Sequence, residues 1–482
     1  MSRTVSGSSS RREFLQAGIA AAGGQLLSPL TPATSQGQPQ RPNLLFLLTE
    51  GQRWDALSIT GHSVLKTPHQ DRIGREGVLF RNSFCTNALC APSRVVSLTG
   101  KYSHITGAMG NKTRDPLPAN IALVTDLLHQ AGYDVAFCGK AHMGNGGRER
   151  CWDYYFGFNA AVTNYYRPRF YEGRKGEIGP EQIYSGFADD IITDRALEWL
   201  REPRERPFCL LLWLQTPHAP FFRPRKYLLM YDGLSMPVPA TFNDDLKGYP
   251  GKPRGFANAA QKIGTVDNGD AARAPGELMK DYYAGLVSVD DNIGRVMDWL
   301  EQNGQLDDTA ILHSSDHGFF LGEFRCYDKR FMHEPSIRVP TMMRYPKAFK
   351  ADTHVDEMIL NVDYAPTLLE LAGVPVPADM QGRSLVDLAR GRTVPDWRRS
   401  WYYEYDDDRV MNVPANRGIR TERHKFIQYY KENPQEFELY DLQQDPGELH
   451  NLANDPAYAS LRADLEKQMA ELRKQLGDTW EV

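Results

Sequence analysis

Pro42-Asn43-Leu44-Leu45-Phe46-Leu47-Leu48, closing on Thr49-Glu50-Gly51, is an uninterrupted apolar run of strand length. A strand with one wet face alternates apolar and polar residues. One that does not alternate is buried on both faces, as in a parallel sheet covered by helices. The same grammar returns at Val135-Ala136-Phe137-Cys138 before Gly139-Lys140, at Phe208 to Leu214 before Pro217-His218, and at Ala310-Ile311-Leu312-His313 before Asp316-His317. Each run delivers polar residues at its carboxyl end. Between the runs lie helical patterns, Asn120 to Ala131 and Glu277 to Asn303. The second carries Met279, Tyr283, Leu286, Val289, Ile293, Val296 and Leu300 on one broad face, and Gly132 and Gly304 follow as C-caps. This alternation predicts an α/β fold with a mostly parallel central sheet flanked by helices, where ligands bind beyond the strand carboxyl ends. The polar residues just named are therefore predicted to converge.

From about Pro395 the pattern changes to short strand-like segments, Trp401 to Tyr405, Gly418 to Thr421, Lys425 to Tyr430 and Phe437 to Leu442, with a polar helix from Asp455 to Leu476. These predict a small C-terminal antiparallel sheet plus helix. With 482 residues, 41% hydrophobic, the chain can bury one large core and a small one. The expected division is a leader and linker over 1–38, a main domain over 39–392 and a small subdomain over 393–482. A net charge of −5, without zinc-finger spacing or a long Lys/Arg run, speaks against a nucleic-acid partner.

Ser10-Arg11-Arg12-Glu13-Phe14-Leu15, followed by an Ala/Gly-rich run to Leu27 and then Pro, Thr, Ser and Gln, resembles a twin-arginine export signal. That resemblance implies the twin-arginine export machinery as a partner, cleavage near Ala33 to Gln40 and a periplasmic or secreted protein. The run is too short and Gly-rich for a permanent membrane anchor. Six widely spaced cysteines fit neither a dense disulfide scaffold nor a zinc site, and five read as packing residues.

The remaining one, Cys90, opens Cys90-Ala91-Pro92-Ser93-Arg94-Val95-Val96-Ser97-Leu98-Thr99-Gly100. Pro92 sits where a helix can begin, and Arg94, four residues after Cys90, would share its face. A nucleophile at a helix N-terminus beside a guanidinium suits an anionic tetrahedral group. Spacing alone leaves open a buried cysteine on an ordinary helix.

The segment resembles the signature of the formylglycine-dependent sulfatases of the alkaline phosphatase-like superfamily, where Cys-x-Pro-Ser-Arg marks the cysteine for oxidation to an aldehyde. Gly139-Lys140-Ala141-His142-Met143-Gly144 is similar to that family's Gly-Lys-x-His segment, and Thr216-Pro217-His218-Ala219-Pro220 to its later Pro-His loop. Ser315-Asp316-His317-Gly318, Gly322-Glu323, Lys329 and Glu334-Pro335-Ser336-Ile337-Arg338-Val339-Pro340 resemble its metal-and-lysine segment. Asp363-Tyr364-Ala365-Pro366-Thr367 and Glu438-Leu439-Tyr440-Asp441-Leu442 add matches that read as structural.

The resemblance implies hydrolysis of sulfate monoesters, aryl or carbohydrate, by formylglycine made from Cys90, with a formylglycine-generating enzyme as partner. It implies Cys90, Arg94, Lys140, His142, His218 and Lys329 as catalytic residues: the lysines on sulfate or bridging oxygens, His218 as general acid, His142 as base. Read singly, each lysine is as well a solvated surface residue and each histidine an ordinary polar one. For the metal it implies Glu50, Cys90, Asp316 and His317, with Ca²⁺ ahead of Mg²⁺. This sequence departs from the family at Glu50-Gly51, where the usual pair has two ligating side chains; Gln52 or water is the candidate replacement. At His317 many relatives carry Asn. A phosphodiesterase or phosphonate monoester hydrolase of the same superfamily, and an inactive sulfated-glycan-binding homologue, are the competing readings. Substrate choice is expected in loops 151–177 and 237–274, which read equally well as plain surface.

Overall fold

The computed structural model describes residues 41–111, 117–118, 120–144, 150, 152–242, 246, 251–255, 275–406 and 412–479. The expected leader over 1–38 lies outside them. In chain order the strands are β1 (Asn43–Thr49), β2 (Val78–Phe84), β3 (Asp134–Lys140), β4 (Tyr154–Phe158), β5 (Arg169–Arg174), β6 (Glu177–Ile178), β7 (Gln182–Ile183), β8 (Phe208–Trp213), β9 (Thr309–Ser315), β10 (Phe320–Leu321), β11 (Tyr327–Asp328), β12 (Thr341–Arg344), β13 (Thr353–Leu360), β14 (Ser400–Tyr405), β15 (Asn416–Thr421), β16 (His424–Tyr429) and β17 (Glu436–Asp441).

The central sheet runs β13-β2-β12-β9-β1-β8-β3-β4-β5-β6, with β7 paired to β5. The four apolar runs read from sequence are its middle, and the pairs β9–β1, β1–β8 and β8–β3 are all parallel. Their lack of alternation has the expected cause. Leu44, Phe46 and Leu48 pack in one core with Val124, Leu128 and Leu368, while Leu45 and Leu47 pack in another with Ile293, Val296 and Leu300. The last three lie on the helix Pro275–Gln302, which the pattern placed within two residues at its start and one at its end.

Other elements differ from the sequence reading. The helix expected over 120–131 is confined to Val124–Gln130, because the Asp126 carboxylate accepts the Leu123 N–H at 2.9 Å and fixes the start there. The stretch 151–177 is not simply a loop: β4 and β5 lie within it and extend the sheet, β4 parallel to β3 and β5 antiparallel to β4. The stretch 237–274 lies largely outside the described residues. β12 enters antiparallel between β2 and β9, so the sheet is mixed at that side.

The C-terminal sheet, in order β14-β15-β16-β17, is antiparallel throughout, and the helix Ala459–Leu476 follows it. Buried charge ties this sheet to the segment after β11. Lys425 Nζ lies 2.6 Å from Glu448 and 3.0 Å from Glu334, and Glu438 faces His333 and Lys252 at 3.3 Å each. Among the described residues no helix is long and apolar enough to cross a membrane.

Candidate active site

Parallel strands place successive carboxyl ends side by side, so the residue after each strand faces its neighbours'. Glu50 follows β1, Lys140 ends β3, Asp316 and His317 follow β9, and the turn after β8 carries His218. The helix Cys90–Thr99 brings its first residue to the same place, with all ten of its residues buried. It begins at Cys90 itself rather than at Pro92. The free N–H of Ala91 is taken by Asn111 Oδ1 at 3.1 Å.

Glu50 is the common partner. Its Oε2 accepts from Arg94 Nη2 and from Lys140 Nζ, both at 2.7 Å, and its Oε1 accepts from the Cys90 thiol at 2.9 Å. Arg94 also donates through Nε to Asp316 Oδ2 at 3.0 Å, so one guanidinium joins the two carboxylates. Cys90 and Arg94 thus do share a helix face. Toward Glu50 Oε1 also point His317 Nε2 at 3.4 Å, His218 Nε2 at 3.8 Å and Lys329 Nζ at 3.9 Å. His142 is 5% exposed, its Nδ1 has no partner among the described residues, and its backbone has φ 47°. Cys90, Glu50, Arg94, Lys140, Asp316 and His317 are fully buried, leaving His142, His218 and Lys329 as the partly open rim.

The charges act strongly on one another. Burial opposes ionisation of Glu50, yet Lys140 and Arg94 hold it well below the usual carboxylate range. Burial and Glu50 oppose ionisation of the Cys90 thiol, but Lys140, Lys329 and His317 bring it well below the ordinary thiol value. Asp316 is pushed up to about 7 by burial and by Glu50. Burial drives His317 down, but Asp316 beside it raises it to about 9. Burial, then the two lysines, depress His218. Burial likewise depresses His142.

The donor set fits a divalent cation. One ligand atom from each of Glu50, Cys90, Asp316 and His317 lies within 4.8 Å of the others, all buried. The Gly318 carbonyl, 2.7 Å from His317 Nδ1, can only accept, so it fixes the proton on Nδ1 and turns the Nε2 lone pair inward, the usual arrangement of a ligating histidine. The Gln52 amide nitrogen donates to Ala56 O at 3.0 Å and Gln70 Oε1 at 2.9 Å, which leaves its buried Oε1 without a partner among the described residues. Gly51 has φ 66°, and a Cβ there would touch the His317 ring at 3.5 Å. The imidazole stands beside the place a side chain at 51 would take.

Residues that the sequence gave no reason to choose hold this arrangement. Asp189 accepts the N–H groups of Gln215 and Thr216 at 3.0 and 3.1 Å, just before His218. Asn361 accepts from Thr86 N at 3.1 Å and donates to Ser93 Oγ at 2.9 Å. The Ser93 hydroxyl in turn donates to the Asp316 carbonyl. An Asp or Asn alone in sequence carries no mark of such a partner.

The family model "Sulfatase" matches residues 42–374, and that of the N-sulphoglucosamine sulphohydrolase C-terminal region matches 322–475. The N-acetylglucosamine-6-O-sulfatase of Bacteroides thetaiotaomicron is 33% identical over 92% of this chain and 88% of its own. The multifunctional alkaline phosphatase superfamily protein PehA of Trinickia caryophylli is 31% identical over 88% and 93%. A solved structure of a protein in complex with its substrate D-glucosamine-2-N,6-O-disulfate aligns with TM-score 0.81 and 32% identity over 91% of this chain and 99% of that one. With the family model spanning most of the chain and the strand-end site in place, this protein belongs to the sulfatases, sulfuric ester hydrolases of the alkaline phosphatase-like superfamily.

Proposed function

We propose that this sulfatase cleaves the sulfate monoester of a carbohydrate, with a 6-O-sulfated glucosamine residue as the preferred unit. It would use a formylglycine made from Cys90 and a cation, Ca²⁺ or else Mg²⁺, held by Glu50, Asp316, His317 and the Cys90 position. The observation that carries this reading is the placement of Cys90 Sγ at a helix start, 2.9 Å from Glu50 and 3.3 Å from His317, with Lys140 and Lys329 on the same carboxylate. The substrate class rests on the Bacteroides thetaiotaomicron relative and the solved complex, both above 30% identity and both naming a 6-O-sulfated glucosamine.

A formylglycine hydrate supplies a hydroxyl nucleophile with a second hydroxyl that allows sulfate to leave, and the cation supplies charge against the sulfuryl oxygens. The chain's own residues do the rest. Lys140 and Lys329 bind sulfuryl oxygens, where their charge counts most because water is excluded. His218 keeps its Nδ1 proton on the Ala219 carbonyl and presents Nε2 as general acid to the leaving alcohol. An incoming sulfate faces the two lysines that help depress His218, so binding raises the imidazole toward the protonated state this role needs. His142, held below the usual imidazole value by burial and with Nδ1 unpartnered among the described residues, takes the role of base. Arg94 fixes both carboxylates. We assign catalysis to 39–392, with 393–482 as a C-terminal subdomain, and place the protein in the periplasm or outside the cell after twin-arginine export.

The test is expression with a formylglycine-generating enzyme, mass spectrometry of the Cys90 peptide, and sulfate release from an aryl sulfate and from 6-O-sulfated N-acetylglucosamine. An aldehyde at 90 with metal-dependent sulfate release, abolished in Cys90→Ala, is the expected result. An unmodified thiol alongside a competent modifying enzyme overturns the mechanism. The alkaline phosphatase-like superfamily keeps a second reading, phosphodiester or phosphonate ester hydrolysis, which cleavage of those esters without sulfate release would establish. Retention on a sulfated glycan column without turnover would mark a binding homologue.

A further inference from the structure

Two loops that bear on the site meet at one oxygen atom far from it in sequence. Tyr403, fully buried in β14, accepts the Ala88 N–H at 3.3 Å through its hydroxyl and donates that hydroxyl's proton to the Arg330 carbonyl at 2.6 Å. Ala88 stands two residues before Cys90 and Arg330 one after Lys329. A phenolic oxygen is suited to this because it donates and accepts at once.

Each loop needs such a hold. Arg330 has φ 92°, in the left-handed region that side chains resist, and Lys329 lies immediately before it. The Arg330 carbonyl receives a weaker second donor, Asn416 Nδ2 at 3.4 Å from β15, and its N–H is taken by Ser336 Oγ at 3.0 Å. On the other loop the Thr86 carbonyl accepts the Glu404 N–H at 3.1 Å, so consecutive residues of β14 grip the approach to Cys90, one by side chain and one by backbone. Leu89 then caps the helix through its carbonyl, which accepts from Ser93 N at 2.9 Å, without a capping side chain.

We infer that Tyr403 is a positioning residue for sulfate ester cleavage: its hydroxyl ties the turn that carries Cys90 to the loop that carries Lys329, and so fixes the separation of nucleophile and ammonium. The catalytic meaning rests on the sulfatase reading above, whereas the tether itself rests on geometry alone. Through it the C-terminal sheet takes part in the chemistry without touching substrate.

Tyr403→Phe removes the oxygen and keeps the ring. With turnover normalised to aldehyde content, kcat is expected to fall about tenfold to a hundredfold while KM moves little, since a reacting group shifted by an ångström costs that order of rate. In the Lys329→Ala background the same change should cost much less, because the loss acts through Lys329. Hydrogen exchange gives a readout independent of activity: amides at 86–90 and 329–331 should speed up together, with or without the aldehyde. Additive losses in the cycle, or unchanged exchange in both segments, would overturn the proposal. So would a lowered Tm with kcat intact. If wild type releases no sulfate the sulfatase reading fails, and the exchange result still decides the tether. Should Tyr403→Phe not fold, Asn416→Ala is expected to loosen 329–331 alone.

Discussion

Glu50 receives Arg94, Lys140 and the Cys90 thiol on two oxygens with no solvent contact, so its charge is shared by more groups than any neutral side chain could satisfy. Removing one member of a buried ionic cluster leaves the others uncompensated, at roughly 3–5 kcal/mol. Glu50→Gln is therefore expected to lower Tm and to lose bound metal, both measured on the same purified sample. Gly51 makes the opposite case. Placing an acid there puts an L residue at φ 66° beside the His317 ring, a backbone strain of about 1–2 kcal/mol. Gly51→Asp should bind Ca²⁺ no more tightly, by calorimetric titration, and melt lower. Metal loading should also release protons. His317, held up to about 9, and Asp316, held up to about 7, bind protons at neutral pH that a cation must displace. Apparent affinity should rise with pH through this range and flatten above it; affinity independent of pH from 6 to 9 would contradict the assigned ligands.

At the scale of elements, the four central strands were legible because burial on both faces leaves an unmixed apolar run, and the polar residue ending each run marks the site. β12 and β13 were not. β12 has only four residues, and β13 at the sheet edge mixes Asp356 and Glu357 with its buried end. Motif residues were found because their spacing is local. Tyr403, Asn361 and Asp189 were missed because their roles exist only after distant segments pack. One local glycine does carry tertiary information: at Gly139, with φ 132°, a Cβ would lie 1.9 Å from the Trp213 carbonyl oxygen, so β3 and β8 approach too closely for any side chain. Gly139→Ala should destabilise by about 3 kcal/mol or more, seen as a lower urea midpoint at unchanged m. Because Lys140 is the next residue, activity should fall even in the fraction that remains folded.

Across the whole molecule, acid should weaken the contact where the C-terminal sheet meets the segment after β11. Burial alone would raise Glu438 and Glu334, but His333 and Lys252 hold the first, and Lys425 and Arg420 the second, far below the ordinary 4.5. A depressed folded value means stability that is full above 4.5 and lost as pH falls from there. Tryptophan fluorescence should report an acid transition below about 4.5, and Glu438→Gln should be less stable at pH 7 with a shallower acid limb. The full burial of Cys90 bears on something earlier than catalysis. On the formylglycine reading proposed above, a thiol closed inside a helix start cannot be offered to the modifying enzyme, so oxidation of Cys90 and collapse of the sheet around it would be competitors in time. Folding would then be the deadline for activation: the share of working molecules would be set by a race on the emerging chain, and sequences that fold faster around Cys90 would yield more protein and less enzyme.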